Sequence, residues 1–100
     1  MDVKHPKPPV PAGFELSASV TSTAVVTLTV PDDVRYALVK VITAPIRFRD
    51  DGVAPTSVSG FTVATSGEIE LTSREQIDGF QAIAVDSAAT LEVLYYKLSA

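Results

Sequence analysis

The side chains that carry most enzyme chemistry are scarce in this chain of 100 residues, which has one histidine, His5, and no cysteine. Without cysteine there is no thiolate nucleophile, no metal thiolate and no disulfide framework, and a lone histidine builds a multi-histidine site only if copies of the chain come together. A Ser-His-Asp arrangement fails on the same inventory, because His5 lies among prolines and no Gly-x-Ser-x-Gly elbow exists. The glycines, at positions 13, 52, 60, 67 and 79, are scattered singly, so no glycine-rich loop can cradle a phosphate. The expectation is a non-enzyme with no catalytic residues, no cofactor and no resident metal.

Two aspartate pairs, Asp32-Asp33 and Asp50-Asp51, are the remaining candidates for metal binding. Calcium wants several oxygen ligands from a flexible loop, and the alternating ligand pattern of a calcium loop is missing here. Aspartate beside proline or glycine is what a tight turn needs, and turn chemistry is the better reading of both pairs. Arg47 and Arg49 share one face of an alternating segment and can hold a carboxylate in bidentate fashion, with Asp50 or Asp51 as that partner within the chain or across an interface. Tyr95-Tyr96 reads as a core and edge pair, and seven aromatics in all leave little for a carbohydrate-stacking site.

These residues must be positioned by a single domain, since 100 residues leave no room for two. Valine, leucine, isoleucine and phenylalanine make up 30 of the 100, enough for the chain to fold. Fourteen valines with ten threonines and nine serines suit pleated surfaces better than helices. The net charge of −4 argues against nucleic acid or an anionic membrane surface as partner. Apolar runs such as residues 82–85 are far too short to span a bilayer, and the first residues lack the apolar stretch of a signal peptide.

Residues 1–13 hold four of the seven prolines, so this stretch is expected to be an extended arm near polyproline II, or the lead-in to a first strand. Lys4, His5 and Lys7, among Pro6, Pro8 and Pro9, make it locally basic on an acidic body, able to lie across its own domain or a neighbouring subunit. Residues 14–100 form the domain proper. Alternation predicts a half-buried strand over residues 23–30, with Val26, Leu28 and Val30 on one face, ending at Pro31. Residues 36–43 are apolar on both faces, as a central strand covered on each side would be. Ile46-Arg47-Phe48-Arg49 alternates before the Asp50-Asp51-Gly52 turn. Residues 61–63 and 68–71 flank a turn at Thr65-Ser66-Gly67 and are expected to pair as one hairpin. Ser73-Arg74-Glu75-Gln76 has the form of a capping box, predicting a single helical turn near residues 74–78. Residues 80–85 and 89–98 complete seven to eight strands, an all-β antiparallel sandwich or jelly-roll-like domain.

The segment Pro45-Ile46-Arg47-Phe48-Arg49-Asp50-Asp51-Gly52-Val53-Ala54-Pro55-Thr56, followed by Gly67-Glu68-Ile69-Glu70-Leu71 and the stretches 80–85 and 89–96 ending in Tyr95-Tyr96, resembles small structural proteins of tailed bacteriophages. The resemblance covers residues 37–96. It implies a virion component made in the host bacterial cytoplasm, of the head decoration (cement) or head–tail accessory type, with a β-sandwich or jelly-roll fold often arranged as trimers. Its partners would be the major capsid protein or other virion proteins, with no nucleic acid and no membrane. On this resemblance Arg47, Arg49, Asp50, Asp51, Pro55 and Thr56 match a recurrent strand-turn corner that can also face a neighbouring copy. The expected role is capsid decoration, with the arm as the docking element; the alternatives are a carbohydrate- or receptor-binding module on a tail or fibre, and a head-completion or neck protein.

Overall fold

The computed structural model describes residues 9–56 and 58–98. In chain order the elements are β1 (Pro9–Val20), β2 (Val26–Thr27), β3 (Val34–Ile42), β4 (Ile46–Arg49), β5 (Phe61–Val63), β6 (Glu68–Leu71), helix α1 (Arg74–Gly79), β7 (Gln81–Ala84) and β8 (Ala89–Leu98). The strands form two four-stranded antiparallel sheets, ordered β1-β8-β3-β6 and β2-β7-β4-β5. Among the pairings are β1 with β8, β2 with β7, β3 with β6 and β4 with β5. That nesting is a single long hairpin, bent between β4 and β5 and rolled up so that its layers alternate between sheets. It is the jelly-roll arrangement of an all-β sandwich.

Alternation decides which side chains meet between the sheets. From the first sheet, Val39 and Val41 of β3 and Leu91, Val93 and Tyr95 of β8 point inward; from the second come Ile46, Ala82 and Ala84, and all are buried. Phe80, at the end of α1, and Ile77 close one end of the same core. The helix is started by Ser73, whose Oγ accepts from the Gln76 amide at 3.2 Å. The returning bond of a capping box goes one residue further back than expected: Gln76 Oε1 accepts from the Thr72 amide at 2.8 Å.

Three expectations change. The segments 61–63 and 68–71 are strands but not one hairpin: β5 pairs with β4 in one sheet and β6 with β3 in the other. The turn between them, where Ser66 has φ +73° and its amide donates to the Val41 carbonyl, carries the chain across the sandwich instead of back along itself. The strand expected over residues 23–30 is laddered only at Val26 and Thr27, while Leu28 and Val30 pack on the core with the predicted alternation but outside any strand. At the N-terminal side, the boundary drawn at Gly13 from proline density falls inside β1, which pairs with β8 from Pro9 onward. Proline is tolerated there because β1 is an edge strand and an edge leaves one row of backbone groups without a ladder partner. Gly13, at φ +153°, sits at a bulge in that pairing.

Candidate functional site

The outer surface of the β1-β8-β3-β6 sheet, facing away from the core, is built from residues that alternation forces outward. Register places Phe14, Leu94, Leu38 and Glu70 side by side across the four strands, with Leu16, Glu92, Lys40 and Glu68 in the next row. Toward the other end Tyr96 lies opposite Tyr36. Phe14 is 58% exposed, Leu16 56% and Leu98 51%, and Tyr36, Leu38 and Tyr96 are half-buried. The apolar side chains Phe14, Leu16, Leu38 and Leu94 thus form a cluster on the β1, β8 and β3 part of this face, bordered by Lys40, Glu68, Glu70 and Glu92. The expectation that β3 is covered on both sides is met fully on the core side, where Ala37, Val39 and Val41 are buried, and only in part on the outer side, where Tyr36 and Leu38 are half-buried.

Two recesses mark the tyrosine end of this face. One, of 210 Å³, lies between Tyr36, Leu38, Glu70, Thr72 and Tyr96. The other, of 490 Å³, shares Tyr36 and Thr72 with it and adds Arg35, Arg74, Glu75 and Leu98. Arg74 is already committed: it pairs with Asp78 at 3.0 Å and donates to the carbonyls of Pro31 and Val34. Arg35 reaches back to the Val34 carbonyl at 3.1 Å. The acidic groups of this region, Glu70 and Glu75, are exposed.

Arg47, Arg49, Asp50 and Asp51 gather in the other sheet, at the end of β4 and in the turn that follows it. Arg49 and Asp51 form a bidentate pair, with Nε to Oδ1 at 3.1 Å, and Asp51 Oδ1 also accepts from the Val53 amide at 3.2 Å. The Arg49 guanidinium holds the Asp51 carboxyl below the ordinary carboxylate range, and Asp51 raises Arg49 in return. Arg47 donates to Thr62 Oγ1 on the neighbouring β5. Asp50 does not share the salt bridge; it lines a recess of 470 Å³ with Phe48, Gly60 and Phe61. Phe48 stacks on the buried Phe80 at 5.4 Å and tilts against Phe61 at 5.6 Å, so an aromatic row runs from core to surface. The turn itself is braced by helix α1, with the Gly52 amide donating to the Gly79 carbonyl at 3.3 Å. This corner is a stabilised turn. Among the described residues no three acidic or histidine side chains gather as metal ligands.

Of the arm residues singled out, Pro9 is the first residue of β1 and lies opposite Leu98; Lys4, His5, Pro6, Lys7 and Pro8 lie outside the described residues. The outward face of β1, with Phe14 and Leu16, escaped the sequence reading. Phe14 and Leu16 are spaced two apart with Glu15 between them, a period-two signal that could have revealed it. Glu15 points the other way, where Oε1 accepts from the Tyr95 hydroxyl and from the Thr29 amide at 2.9 Å. It ties β1 to the segment after β2, and its role is structural. Comparison of the chain with models of known families, with curated proteins and with solved structures finds no match.

Proposed function

We propose that this protein is a bacteriophage virion structural protein, a capsid decoration protein that oligomerises and binds the capsid surface. The observation that carries the reading is the apolar outer face of the β1-β8-β3-β6 sheet, formed by Phe14, Leu16, Leu38 and Leu94. An exposed cluster of large apolar side chains with a charged border suits the core and rim of a protein–protein contact. The jelly roll fits, because that architecture recurs in viral capsid and lectin domains. Repetition over a lattice would turn modest contacts into tight attachment through avidity. The test is co-sedimentation with capsids lacking the protein: saturable binding at many sites per particle is expected, and Leu94→Lys with Leu16→Lys should abolish it. Failure of the unaltered chain to sediment with capsids sinks the reading.

A second reading, a carbohydrate- or receptor-binding module of a tail or fibre, is favoured by Phe61. It is 70% exposed and flanked in its recess by Asp50 and Asp51, and an aromatic ring beside carboxylates suits a sugar ring and its hydroxyls. On that reading host-cell binding is lost in Phe61→Ala and survives the substitutions at Leu94 and Leu16.

A further inference from the structure

We infer that residues 1–8 of one copy of this chain dock in the tyrosine-lined recess between β3 and β6 of a second copy, so that the arm builds the oligomer. The inference rests on the reading of this protein as an assembling virion component and names the surface through which copies join.

Three observations converge on that occupant. The first is where the arm leaves the domain. β1 begins at Pro9, opposite Leu98 at the end of β8, and Leu98 lines the recess that shares Tyr36 and Thr72 with the tyrosine recess. The arm therefore departs from the same end of the sheet that carries the groove.

The second is stiffness. Pro8 and Pro9 are consecutive; each fixes its own φ and pushes the residue before it into the extended region. A sequence with this proline pair disfavours a tight reversal just ahead of β1. Eight residues in polyproline geometry would reach about 25 Å at roughly 3.1 Å per residue, enough to lie across a neighbouring domain.

The third is complementarity. Proline-rich segments dock in grooves lined by aromatic side chains, where flat rings meet pyrrolidine rings and hydroxyls reach the segment's carbonyls. Tyr36 and Tyr96, neighbours across β3 and β8, supply such walls. Lys4, His5 and Lys7 bring positive charge. Glu70 and Glu75 line the two recesses; of the two arginines in the larger one, Arg74 is held by Asp78 and two carbonyls and Arg35 donates to the Val34 carbonyl. A second copy brings this arm at the high local concentration of an assembly.

Light scattering on the full chain tests this. The expected result is a mass of more than one chain, with Lys4→Glu plus Lys7→Glu raising the concentration for half-assembly about tenfold through like charges brought face to face. Glu70→Lys plus Glu75→Lys should do the same, and all four substitutions in one chain should restore assembly. These positions precede β1 or are exposed, and equal melting temperatures confirm that each variant folds. A monomeric full chain, or an arm variant that assembles as the unaltered chain does, overturns the inference. Capsid co-sedimentation of the same variants separates the two proposals: unchanged mass with retained capsid binding removes the arm contact alone, and rescued assembly without capsid binding removes the virion reading alone.

Discussion

Tyr95 shows how one residue can set a pH limit on this fold. Burial, with the Glu15 hydrogen bond and charge behind it, raises its phenol above the ordinary value of 10.0. The unfolded chain releases that proton near pH 10 while the folded chain keeps it, so raising the pH favours unfolding. Stability from this group is whole well below pH 10 and falls above it, with a slope that approaches about 1.4 kcal/mol per pH unit as the unfolded phenol ionises. Chemical denaturation between pH 9 and 11 should show that slope, and Tyr95→Phe should remove one proton's worth of it while costing about 1 kcal/mol at neutral pH through the lost hydrogen bond. Gly79 makes a steric demand instead. A Cβ there would lie 2.6 Å from the backbone carbonyl oxygen of Asp50, and backbone cannot rotate out of the way as a side chain can. Gly79→Ala is expected to cost about 1–3 kcal/mol and to shift the amide resonances of residues 50–52; an unchanged melting temperature would show that the turn yields freely.

Among the elements, α1 is the one whose start was written locally. Its first turn depends on the Ser73 hydroxyl meeting the Gln76 amide, and Ser73→Ala should cost about 1 kcal/mol, with Ser73→Asp restoring most of it. Equilibrium unfolding of the two variants checks this. The strands β4, β5, β6 and β8 were equally legible, because alternation over residues 46–49, 61–63, 68–71 and 89–98 directly encodes which side chains face the core. Their partners were not. A turn such as Thr65-Ser66-Gly67 announces that the chain bends but carries nothing about whether the next strand pairs with the last one or crosses to the other sheet. That choice depends on β3, more than twenty residues upstream, offering its free edge to β6. The same limit explains the candidate site. The charged residues at 47, 49, 50 and 51 stood out by type, and their salt bridge and turn were readable, whereas Phe14, Leu16 and Leu94 became a surface only once β1 and β8 were placed side by side.

For the whole molecule, strand β8 carries two rows of side chains that, on the proposed function, serve folding and assembly separately. Its inward row, Leu91, Val93 and Tyr95, is fully buried between the sheets, while Leu94, between Val93 and Tyr95 in sequence, is 42% exposed beside Phe14 and Leu38. A side chain of the first kind contributes its whole surface to the domain's own stability through burial; one of the second kind contributes less and has more to gain when another surface covers it. The two rows should therefore respond in opposite ways to truncation. Leu91→Ala opens a cavity in the core and is expected to cost about 2–5 kcal/mol in denaturant unfolding. Leu94→Ser with Phe14→Ser removes more apolar carbon, yet should cost only about 0.5–1 kcal/mol in the free chain, the worth of a half-exposed cross-strand pair, while weakening capsid binding about tenfold. If the outer pair instead destabilises the free domain as much as Leu91→Ala does, those side chains belong to the fold's own packing, and the uncovered face loses its standing as an interface.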